Sequence, residues 1–219
     1  MNPPLLFALL ALATSPGQAA RNSDQTQAVR QALEQSVDAA VSRLGRTDGY
    51  WANPKLRIPL PAELLSLEKT LRRYGLERYV EDFAQSLSRA AEAAVPIAKP
   101  VLLAAIRDMS LRDALAIVRG DDHAATQYFK LRSDAILRER LKPIVAEATA
   151  NANVTGSYKR LLKKAVFLEK SVDPTRLDLD AHVTRAALDG LYLLMAEEER
   201  RIRRDPLARG TELLKKIFR

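Results

Sequence analysis

From Val29 to Leu44 apolar side chains return every third or fourth residue, at Val29, Leu33, Val37, Val41 and Leu44. That spacing gathers all five on one face of an α-helix. Alanine, leucine, arginine and glutamate dominate the chain; they are good helix formers, and the β-branched and aromatic content is modest. The expectation is an all-α fold: a single compact multi-helix bundle of about eight to nine helices. One long irregular, Pro-containing loop interrupts it near residues 45–61.

The punctuation supports this division. Ser23 or Asp24 suits the start of the first helix and Gly45 the left-handed position after its end. In the loop, Pro54, Pro59 and Pro61 forbid a helix, and Tyr50 and Trp51 (the only tryptophan) offer aromatic anchors. Such a loop wraps over a core or closes a ligand site as a lid. Helices are then expected over 61–73, 76–95, 97–108, 110–118, 122–150, 154–170, 178–204 and 206–218, separated at Gly75, Pro96, Gly120, Asn153 and Pro174. Pro100 falls in the first turn of its helix, and Pro143 should kink the helix that contains it. Ala186–Ala196 is the most hydrophobic helical stretch and is expected at the centre. Its continuation, with Glu197 four residues before Arg201 and Glu199 four before Arg203, reads as a solvated end carrying exposed ion pairs.

The N-terminus bears on compartment. Met1–Ala20 carries no charged side chain, and Leu5–Ala13 is apolar but too short to span a bilayer. Small residues at Gly17 and Ala19 follow a Ser15-Pro16 break. Residues 1–20 therefore read as a secretory signal cut after Ala19 or Ala20, leaving residues 21–219 as a single all-helical domain. The departure from that pattern is an n-region without Lys or Arg; the alternative is an ordinary N-terminal segment. No later run is apolar enough for a transmembrane segment, so the mature protein is expected to be soluble, in the periplasm or otherwise exported. With no cysteine in the chain, disulfides, thiolate metal sites, cysteine nucleophiles and a lipid-modified N-terminal Cys are excluded, so the protein is not a lipoprotein.

The formal charge is +8. A basic balance favours anionic partners, but no zinc-finger spacing, RNA-recognition motif or glycine-rich phosphate loop is present, and no nucleic-acid partner or cofactor is expected.

Several blocks in order carry a resemblance: GRTDGYWANPKLRIPLP, SRAAEAAVP, GDDHAATQYF, LDLDAHVTRAALDGLYLLMAEEERRIR and TELLKKIF. Over roughly residues 28–218 the chain resembles the bacterial family called domain of unknown function 4197. The resemblance implies an all-helical exported protein of bacterial envelopes and supplies no catalytic residues.

Candidate polar residues follow from their surroundings. Asp189 stands between Leu188 and Gly190 in the apolar helix; a buried carboxylate there needs a partner, from Arg185 or from Arg89 or Arg107 of another helix. Glu92 is flanked by alanines, with Arg89 three residues before it. Were Glu92 and Asp189 to face one another they would form an acid–base pair. Asp121-Asp122-His123 offers metal-ligand types, but adjacent residues at a helix start rarely converge on one ion. Asp122 as an N-cap, with Thr126 and Tyr128 pointing inward, is the simpler expectation. His182 is the only other histidine, and no nucleophile elbow surrounds any serine.

The leading functional expectation is thus a non-enzymatic protein binding an amphipathic or anionic ligand such as a lipid. The residues assigned to that site are Trp51, Arg89, Glu92, Arg107, Asp122, Thr126, Tyr128 and Asp189, with no metal site and no catalytic residue named. A second expectation is an envelope interaction protein that uses its arginine-rich faces or C-terminal helix on anionic membrane or cell-wall surfaces. A third is an enzyme built on buried carboxylates.

Overall fold

The computed structural model describes residues 16–108, 114–167 and 177–218. Among these, eight α-helices occur and no strand: α1 Pro16–Leu44, α2 Leu65–Arg73, α3 Glu77–Asp108, α4 Ala114–Arg119, α5 Ala124–Asn151, α6 Val154–Phe167, α7 Leu179–Arg204 and α8 Glu212–Ile217. Short 3₁₀ turns, Ala62–Leu64 and Pro206–Ala208, precede α2 and α8. The all-α expectation holds. None of these helices is long and apolar enough to cross a membrane.

The long helix α3 packs against α1, α5, α6 and α7, while α7 packs against α1 and α5. Apolar faces from all of them meet in one core that includes Leu33, Leu44, Tyr50, Phe83, Leu87, Phe129 and Leu137. Phe83 lies against Tyr158, and Phe129 meets the Tyr192 ring edge-on. A second cluster joins Ala28 and Ala32 of α1, Ile202 of α7, and Leu214 and Phe218 at the C-terminus. The apolar side of α8 is therefore spent on the bundle.

Three element boundaries differ from expectation. α1 begins at Pro16 rather than at Ser23 or Asp24, and Asp24 instead pairs with Lys216. α3 runs unbroken through Pro96 and Pro100. Each proline removes one backbone bond, yet burial of Val95, Ala98, Leu102 and Ile106 holds the helix together past them. Residues 206–218 do not form one helix, because Arg209 folds back and donates to the carbonyls of Ile202 and Arg203 at 2.9 and 2.8 Å, capping α7. α4 and α6 are described only over 114–119 and 154–167; the expected helical residues 110–113 and 168–170, and the Pro174 break, lie outside the described residues.

The loop after α1 wraps over the core. Tyr50 is fully buried, and Leu56, Ile58 and Leu60 alternate inward with exposed Arg57 and Pro59, the pattern of an extended segment. Gly45 is required by contact rather than by a left-handed turn: a Cβ there would lie 2.5 Å from Cγ of Pro96. Gly190 serves the same purpose on α7, where a Cβ would lie 2.7 Å from the Tyr50 ring.

Candidate functional site

Segments of three helices, α3, α5 and α7, leave a crevice in the bundle. Ala94, Ala98 and Leu102 of α3, Leu141 and Val145 of α5, and Ala187 and Leu188 of α7 are among its walls. Alanine at 94, 98 and 187 leaves space where larger side chains would fill it. The crevice encloses about 320 Å³ of atom-free space including its mouth. It is a narrow slot, apolar throughout. The one hydroxyl in its wall, that of Thr184, donates to the carbonyl of Asp180 at 2.7 Å and is turned back into its own helix.

A wider groove adjoins it on the same two helices. Arg138, Glu139 and Lys142 of α5 face Ala181, Thr184 and Arg185 of α7 around about 500 Å³ of open space. Thr184 belongs to both walls. Arg138 is held by Asp134 (2.6 Å) and Lys142 by Asp178 (2.9 Å). Each carboxylate raises the pKa of its partner, keeping both cations charged. The Asp178 carboxyl is held below the usual carboxylate range, first by the backbone N–H of Ala181 that it caps and then by Lys142. Arg185 is exposed and has no ion-pair partner among the described residues.

The residues singled out from sequence fall elsewhere, in separate places. Arg89, Glu92 and Trp51 do come together, as a clamp on the loop. Glu92 is buried; one carboxylate oxygen accepts from the backbone N–H groups of Tyr50 (3.0 Å) and Trp51 (3.1 Å), and the other from Arg89 (2.7 Å). Arg89 also reaches Asp48 at 2.8 Å. Burial, reinforced by the Glu92 charge, pushes the Tyr50 hydroxyl well above its ordinary pKa, and that hydroxyl donates to the carbonyl of Ala187 at 2.8 Å. Trp51 is only partly buried, with the Arg57 guanidinium 3.9 Å above its ring.

Thr126 and Asp122 lie at the start of α5, but Asp122 is not its cap. The cap is Glu199, reaching across from α7: it accepts from the N–H groups of Ala125 (2.9 Å) and Thr126 (2.8 Å) and from the Thr126 hydroxyl (2.7 Å). Arg203 pairs with Glu199 and donates to the carbonyls of Ile117 and Val118 at the end of α4. This pair, expected in solvent, has side chains only 1 % and 9 % exposed. Nor does Glu197 meet Arg201, which pairs instead with the buried Glu198; Glu197 lies 3.7 Å from Arg43. Asp122 pairs with Arg204, which, with Arg200 and Arg203 also near, lowers its pKa.

Asp189 is the clearest correction. It is not buried: its side chain is 52 % exposed and pairs with Lys130 at 3.0 Å. Arg185, Asp189, Leu193 and Glu197 form one exposed stripe along α7, and the exposed Leu193 disguised that stripe as part of the core face. Glu92 and Asp189 have different partners and form no carboxylate pair. Arg107 is exposed in the last turn of α3, and Tyr128 is partly buried with Arg132 over its ring. None of the eight residues lines the crevice or the adjoining groove.

A family model described as "Protein of unknown function (DUF4197)" matches residues 19–219. The chain belongs to this family. The match takes in α1 from residue 19 and every helix from α2 to α8, and with them the crevice, the groove and both glutamate clamps. No curated protein and no solved structure matches the chain.

Proposed function

We propose that this DUF4197 protein is exported and, once folded, binds an amphipathic ligand such as a lipid in the crevice between α3, α5 and α7. The observation that carries the reading is the slot itself: an apolar opening between three helices, with a polar groove beginning at its rim. Ligand sites are mostly apolar clefts with a few polar groups to one side. The deep part of this one suits the end of a hydrocarbon chain.

Export is supported by where the core begins. Residues 20–23 are exposed, and among the residues whose burial is described the first fully buried side chain is Ala28, so the core contacts of α1 begin beyond a cleavage after Ala19 or Ala20. N-terminal sequencing of the protein from an envelope fraction is expected to start at Ala20 or Arg21; an intact Met1 would contradict export by cleavage.

The binding test fills the slot. Ala98→Leu places three additional carbons in the crevice. Calorimetric titration with dodecanoate, kept below its micelle concentration, is expected to show saturable binding to the parent protein and a loss of at least about tenfold in affinity for the variant, roughly 1.4 kcal/mol. Circular dichroism and a melting curve establish that the variant is folded. Equal affinity for the two folded proteins would refute the crevice as the binding site.

A further inference from the structure

We propose that the ligand is a single-chain acid: its carboxylate lies in the groove between Arg185, Arg138 and Lys142, and its hydrocarbon chain passes Thr184 into the crevice. This rests on the crevice being a hydrocarbon site and adds the chemistry of the head group and its location.

The argument begins with adjacency. The apolar slot and the groove share Thr184 and are built by successive turns of the same helices: 138–142 then 141–145 on α5, and 181–185 then 184–191 on α7. A molecule in one has its other end in the next. Charge then selects the head. Arg138, Lys142 and Arg185 line the groove with Glu139; Asp134 and Asp178 pair with the first two, which leaves Arg185 as the cation that a ligand head can meet. Arg138 and Lys142 are oriented by Asp134 and Asp178, so little side-chain freedom remains to be lost on binding. Arg185 has no ion-pair partner among the described residues, and its planar fork matches a carboxylate with two parallel hydrogen bonds. Arg185 is exposed and solvated, so an anionic head gains a charge-assisted contact there that a neutral or cationic head does not offer. Because two of the cations already have partners and Glu139 lies on the wall, the groove suits one negative charge better than two. The slot is narrow and walled by three helices, which suits one chain rather than two.

The test uses the full folded chain and four probes with one common tail: dodecanoate, dodecanol, dodecyl phosphate and dodecyltrimethylammonium, each titrated at neutral pH and low salt. Dodecanoate is expected to bind about tenfold or more tightly than dodecanol, the scale of one charge-assisted contact. Arg185→Ala is expected to erase that difference by weakening dodecanoate while leaving dodecanol unchanged, and Glu139→Gln to tighten dodecanoate. Dodecanoate and dodecanol binding equally, with Ala98→Leu weakening both, would overturn the head-group site and leave the crevice standing. Tighter binding of the phosphate or the quaternary amine would overturn the choice of a carboxylate. No binding of any probe would overturn the crevice reading as well.

Discussion

Two buried glutamates hold the bundle's irregular parts. Glu92 ties down the loop through two backbone N–H groups, and Glu199 caps α5 through two more, each with an arginine on its second side. Removing either carboxylate strands buried donors and an arginine together. Glu92→Ala and Glu199→Ala are each expected to cost about 3–5 kcal/mol in urea unfolding, the scale for a broken buried pair; a change under about 0.5 kcal/mol would place the pair among ordinary surface contacts. Tyr50 gives the pH dependence at this scale. Its hydroxyl pKa is raised in the folded state, so its contribution is complete below the unfolded value of about 10 and is lost as the pH rises beyond it. The melting temperature is expected to fall above about pH 10, and Tyr50→Phe to flatten that fall while costing the bond to Ala187. An unchanged alkaline slope in the variant would contradict it. Sequence made Glu92 visible through its alanine neighbours and its arginine at i−3. It hid Glu199, because a run of charges at a helix end looks solvated until another helix's N-terminus is known to lie beneath it.

Among the elements, prolines were the hardest feature to read. Local propensity treats Pro96 as a helix end, since each interior proline costs about 3 kcal/mol. Tertiary burial of the flanking apolar residues overrides that cost, and α3 continues to Asp108. All three interior prolines lie on the exposed sides of α3 and α5, outside the lining of the crevice that these helices wall. Pro143 is exposed, so replacing it should relieve the helix without opening a hole in the core. Pro143→Ala is expected to raise stability in urea unfolding by as much as about 3 kcal/mol. A variant no more stable than the parent would contradict it. α8 was legible from its apolar face, and the structure spends that face on Ala28, Ala32 and Ile202.

For the whole molecule, helical period and punctuation were enough to give an all-α bundle, a wrapping loop anchored by Tyr50, and a docked C-terminal helix. They could not give the crevice. A gap between three helices depends on how α3, α5 and α7 are brought together, and its walls are the same alanines, leucines and valines that elsewhere make core. The polar residues that stood out in sequence did so against apolar neighbours, and most are occupied in holding loop and helix ends. The groove cations, Arg138, Lys142 and Arg185, lie in unremarkable charged stretches. The most direct measurement of ligand binding between α3, α5 and α7 is amide NMR of the full folded chain during titration with dodecanoate. Saturable shifts are expected at Ala98, Val145, Thr184 and Ala187, with Arg185 following at the head-group end. Shifts spread over the basic surface or centred on α8, with those residues unmoved, would contradict it.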